Sequence, residues 1–156
     1  MKKLLYLPFL ILALSTSCEK TEHNPVKTIH ESQMSVKRDG KLQAFTTSTS
    51  WFVPQLFLAI EAGSPELNSG HYRIILQHNI PKGIYHHLGS STPYVITFEF
   101  TKNYQTWYTS YDGTVQILSN DPVSKRIEFK FDVDLEHVNI PSDIIEFTEG
   151  HVVANY

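Results

Sequence analysis

The chain has 156 residues, with 16 acidic and 13 basic side chains, a formal net charge of −3 and a single cysteine. The basic residues are scattered without a stripe, so the positive footprint that nucleic acid requires is missing and no nucleic-acid partner is expected. One cysteine forms no internal disulfide, and the nine Phe, eight Tyr and two Trp tilt the expectation toward strands.

In chain order, Lys2 and Lys3 precede an apolar run from Leu4 to Leu14, and Ser15, Ser17 and Cys18 then supply small residues. That is the layout of a secretory signal peptide. The run is too short for a transmembrane helix, which needs roughly 20 residues. A thiol at this place is suited to carry acyl chains, and "LSTSC" resembles the lipobox of a bacterial lipoprotein signal, with Cys18 as the lipidated first residue of the mature chain. Each buried methylene contributes roughly 0.8 kcal/mol, so several acyl chains would hold the protein on a membrane. The expected organisation is therefore residues 1–17 as signal peptide, 18–32 as lipidated N-terminus and polar tether, and 33–156 as one domain. The localisation it implies is the bacterial cell envelope, at the outer membrane, on its periplasmic or its surface-exposed side.

The domain reads as strands. In "RIEFKFDVDLE", Ile127, Phe129, Phe131, Val133 and Leu135 alternate with charged neighbours, and "PYVITFEFT" repeats the pattern. Further strands are expected at "QMSVKR", "QAFTTS", "QLFLAIEA", "HYRIILQ", "GIYHHL", "QTWYTSY", "GTVQILS" and "IIEFTEGHVVANY". Their separators are turn signals such as Asp39-Gly40, "NIPKG", Asp112-Gly113 and "NIPSD". About ten short strands without helical periodicity predict an all-β fold, an antiparallel β-sandwich or partly open barrel.

The order of "SVKRDGKLQAF", "IPKGIYHH", "YTSYDGTVQILSNDPVSKRIEFKFDV" and "FTEGHVVANY" resembles a family of small Bacteroidota lipoproteins of unknown function. The resemblance spans Met34 to Tyr156 and implies a β-sandwich. It brings no catalytic residues.

Chemistry has to be sought residue by residue. His71, His86 and His87 are the weak candidates for a metal site, but neighbours on one strand face opposite sides, so any pairing needs to cross strands. Glu128, Asp132 and Asp134 share a strand face, as the polar half of an amphipathic strand does; paired acids there would be the basis of a small hydrolase. No short catalytic motif is present, so no enzyme, metal or cofactor is expected. "YQTWYTSYDG" is aromatic on both faces, and Tyr104, Trp107, Tyr108 and Tyr111 form a candidate stacking platform, to which Trp51 could add. The leading expectation is a non-catalytic interaction module for an envelope protein; the alternative is a carbohydrate-binding lipoprotein using the aromatic strand on a glycan.

Overall fold

The structure, a computed structural model, describes residues 31–52, 56–64, 70–86, 94–103 and 106–156. Cys18, the signal segment, most of the tether, His87 and Tyr104 lie outside them. Among the described residues nine strands follow in order: β1 (Gln33–Arg38), β2 (Lys41–Phe52), β3 (Phe57–Ser64), β4 (Gly70–Gln77), β5 (Gly83–His86), β6 (Ile96–Lys102), β7 (Thr106–Asp121), β8 (Arg126–His137) and β9 (Ile140–Asn155).

All pairings are antiparallel. Consecutive strands pair from β1 to β4 and from β6 to β9, β4 pairs with β6, and β9 returns to β1. The sheet therefore closes into an 8-strand barrel, with β5 as an extra strand laid on the second half of β7. The chain is all-β and antiparallel as expected; of the two forms expected, a sandwich or a partly open barrel, it takes a barrel, and a closed one, because β9 bonds to both β8 and β1. Closure removes the sheet edges that an open sandwich would have to protect.

One correction concerns Asp112-Gly113, expected to be a hairpin turn between two strands. Both flanks pair with the same strand: Ser110 with Leu135, Asp112 with Asp134, Gly113 with Val133 and Thr114 with Asp132. The chain runs straight on as β7, and Tyr111 is the extra residue of a bulge. By contrast Asp39-Gly40 is the expected tight turn, with both residues at positive φ (51° and 73°).

Alternation decides which side chains fill the barrel. Met34, Leu58, Ile60, Tyr72, Ile74, Leu76, Phe98, Phe100, Val115, Ile117, Phe129, Phe131, Phe147 and Val152 are all buried in one continuous core. Eight strands enclose a space that side chains of this size can fill. Two glycines make room for rings. Gly150 carries no side chain where a Cβ would come within 2.5 Å of Phe131, and Gly70, at φ +79°, leaves the place a Cβ would share with the Phe100 ring.

Register sorts the connections into two ends. One end carries the β1–β2 and β8–β9 turns, with Arg38, Tyr72, Tyr108 and Phe147 near it. The opposite end carries the β7–β8 turn, the end of β2 and the C-terminus. The N-terminal segment enters at the latter, where Ser32 accepts the Thr47 and Asn155 amides at 2.9 Å each. These are called here the turn end and the tether end.

Candidate binding surfaces at the two ends of the barrel

At the turn end the barrel is shut by rings and one cation. Tyr72 stands 5.0 Å from both Phe45 and Phe100 and 5.3 Å from Phe147, and Phe100 continues to Tyr108 at 6.0 Å. Arg38 continues the inward series Met34, Val36 and lays its guanidinium 4.9 Å over the Phe100 ring, a cation–π contact. Its Nη1 also donates to the Tyr72 hydroxyl at 3.4 Å, and that hydroxyl donates to Gln43 Oε1 at 2.6 Å. Burial pushes the Tyr72 phenol up to about 12, with Arg38 opposing the shift. Tyr108, also inward, donates its hydroxyl to Asp143 at 2.8 Å, and burial foremost raises its pKa.

Outside this plug the same end is apolar and acidic. Trp107, Val138, Ile140 and Ile144 are each about half exposed (49, 52, 51 and 47%). The Val138 amide donates to the Trp107 carbonyl at 3.0 Å, which joins the β8–β9 turn to the start of β7. Beside them Glu136 lies in register with Thr109 and Ile144, and Asp134 lies between Asp112 and Glu146.

The tether end is built differently. Trp51 extends the inward series Gln43, Phe45, Thr47, Thr49, yet its ring is 45% exposed because it stands on the rim. Tyr156 meets it edge-on at 5.5 Å and 89°, and His78 at 5.5 Å and 69°. The Tyr156 hydroxyl donates to Asn120 Oδ1 at 3.0 Å, while the Asn120 amide donates to the His78 and Ile80 carbonyls at 2.7 and 3.0 Å. Trp51, His78, Pro122, Lys125 and Tyr156 line a recess of ≈ 310 Å³. Leu58, Leu76, Ile127 and Ala154, the register neighbours of the rim, are buried below it. Burial raises the Tyr156 pKa, and the Asp121 carboxylate adds to the shift. Asp121 itself folds the β7–β8 turn by accepting from the Val123 amide (2.9 Å) and the Ser124 hydroxyl (2.6 Å), which hold its pKa below the usual carboxylate value.

The residues singled out in the sequence scatter between these regions. The four-ring platform does not form as a unit: Tyr108 points into the core, Trp107 and Tyr111 are exposed on the outside, and Tyr104 is outside the described residues. His71 lies 4.0 Å from Glu61, and His86 bonds Thr114 at 3.1 Å. They stand on β4 and β5, which do not pair; among the described residues no three His, Cys, Asp or Glu side chains gather as a metal would need. The acids of β8 have structural work. Glu128 accepts from His151 at 3.0 Å, and Asp132 Oδ1 accepts the Glu149 amide at 2.8 Å, which fixes the β9 bulge where Glu149 adopts φ 53°. Sequence reasoning missed His78 and Tyr156 as partners of Trp51, and Asn120 behind them, since together with Trp51 they come from four separate strand ends. The signal that could have found the rim is the inward parity of Trp51 on β2.

The chain matches no family model, no curated protein and no solved structure.

Proposed function

We propose that the protein is a non-catalytic interaction module, held on a membrane of the bacterial cell envelope by lipid on Cys18, that presents its turn end to a partner protein. The observation that carries this reading is polarity of the barrel. The chain enters at the tether end, while Trp107, Val138, Ile140 and Ile144 are exposed at the opposite end. An anchored barrel standing on its tether would offer those side chains outward. Half-exposed apolar side chains flanked by Asp134, Glu136 and Glu146 suit a partner segment that is apolar with basic residues at its margins. The signal-like opening and the resemblance to small Bacteroidota lipoproteins support the anchor.

Two experiments test the halves separately. Cys18→Ser protein should leave the membrane fraction after carbonate washing, and continued partitioning would refute the anchor. A photo-crosslinking residue at Ile140 in intact envelopes should give a discrete adduct that the Trp107→Ser, Ile144→Ser double variant lacks. Equal adduct yield from a crosslinker at Thr46, on the outer face of β2, would refute the turn end as the partner surface.

A further inference from the structure

The tether end carries an arrangement that partner binding at the turn end does not use. Trp51 is held by two perpendicular ring contacts, so its orientation is fixed before anything binds. Because Tyr156 gives its proton to Asn120, the phenol oxygen keeps its lone pairs for an incoming donor. The Asn120 amide, which holds the His78 backbone as well, sets the phenol and the imidazole relative to each other. Lys125 adds an ammonium donor at the rim, at φ 52° in the β7–β8 turn. Half the recess is thus ring surface and half is hydrogen-bonding groups, at the mouth of a small barrel where ligand sites are favoured.

We infer that this recess binds a carbohydrate, with the C–H face of one sugar ring against Trp51 and its hydroxyls on Tyr156, His78 and Lys125. Sugars have both surfaces the recess offers: polarised C–H groups that match the negative face of an aromatic ring, and hydroxyls that donate and accept. A purely apolar ligand would desolvate the imidazole, the ammonium and the acceptor side of the phenol with nothing in return. Among the described residues that line the recess, a phosphorylated ligand would find the Lys125 ammonium alone as a fixed cation, offset by the Asp121 carboxylate at the same turn. The volume of ≈ 310 Å³ suits one sugar residue, with the open side leaving room for the remainder of a glycan. This site is formed by the barrel alone, and the inference stands whether or not Cys18 carries lipid.

The molecule has two tryptophans, one at each end, so the full-length chain supplies its own reporter. Trp107→Phe leaves Trp51 as the sole tryptophan. Its emission is recorded during titration with glucose, galactose, mannose, N-acetylglucosamine, glucuronate and their β-linked disaccharides, with adenosine monophosphate as the phosphate-bearing comparison. The expected result is a saturable change with at least one sugar and a smaller one with the nucleotide. Tyr156→Phe, which removes the phenol oxygen and keeps the ring, should weaken that sugar about tenfold, with the fold retained and the unfolding midpoint lowered only slightly through loss of the bond to Asn120. Three results would overturn the inference: silence across the sugar panel, preference for the nucleotide, or the same response from Trp107 in the Trp51→Phe protein. Should Tyr156→Phe unfold, Lys125→Gln on the exposed turn provides the second reading, with an expected loss of several-fold.

Discussion

The two ends of the barrel use the same residue types for opposite purposes. At the turn end Tyr72, Phe100 and Phe147 pack ring on ring, Arg38 is folded inward over them, and the hydroxyl of Tyr72 is consumed by Gln43. At the tether end Trp51 and Tyr156 are also ring on ring, but at the rim, and the phenol is turned so that its acceptor side remains free. Depth in the barrel makes the difference. A ring below the rim is worth packing energy, whereas a ring on it is worth a contact with something else. Substitutions among the buried rings of the turn end should therefore damage stability, and those of the rim rings at the tether end should damage binding.

Gly70→Ala should have the largest effect. It imposes a side chain at φ +79° and drives a Cβ into the Phe100 ring, so a loss of about 3 kcal/mol or more is expected in denaturant unfolding. Pairing it with Phe100→Leu should recover the steric part and leave the backbone part. Were Gly70→Ala harmless, the turn end would not be the packed plug described above.

Alkaline pH acts on the same region. Tyr72 ionises near 10 when unfolded and near about 12 when folded, so its contribution to stability is complete below pH 10 and is lost as pH rises toward 12. The unfolding midpoint should drop over that window, and Tyr72→Phe, while less stable at pH 7 through loss of its bond to Gln43, should drop less. The tether end responds to acid instead. The Asp121 carboxyl is depressed when folded, so the stability it gives is present above its unfolded value and disappears as pH falls below it. Asp121→Asn should flatten that acid limb slightly and leave the alkaline limb untouched.

The smallest expected effect falls between the ends. Thr47 Oγ1 is buried on the inner face of β2 with no hydrogen-bond partner among the described residues. Thr47→Val replaces that hydroxyl with a methyl of similar shape, and should be neutral or stabilising by up to about 1 kcal/mol. A clear loss would mean that the hydroxyl is satisfied in solution.

Strand positions were legible where alternation was clean. Gln33–Arg38 is β1 as read, and Ile127 to Leu135 point inward as the pattern of β8 requires. Asp112-Gly113 misled because a bulge and a hairpin turn both ask for residues tolerant of unusual φ; Gly113 adopts 143° within a continuous strand. The closure of β9 onto β1 was not legible, since it depends on long-range register and alternation carries no information about which strand lies alongside. The rim site was only partly visible for the same reason. Trp51 stood out as a residue, but Tyr156 is brought to it by barrel closure, through Thr49 Oγ1 donating to the Asn155 carbonyl at 2.8 Å.

The measurement that bears most directly on the two-ended account is tryptophan quenching by energy transfer to lipids that carry a dansyl headgroup, with the mature, lipidated protein on vesicles. Single-tryptophan variants report each end separately: Trp107→Phe for the tether end and Trp51→Phe for the turn end. The account predicts stronger quenching of Trp51 than of Trp107, with both proteins floating with the vesicles. Quenching of Trp107 in preference to Trp51 on vesicle-bound protein would contradict it, and failure of either protein to float would instead refute the anchor on Cys18.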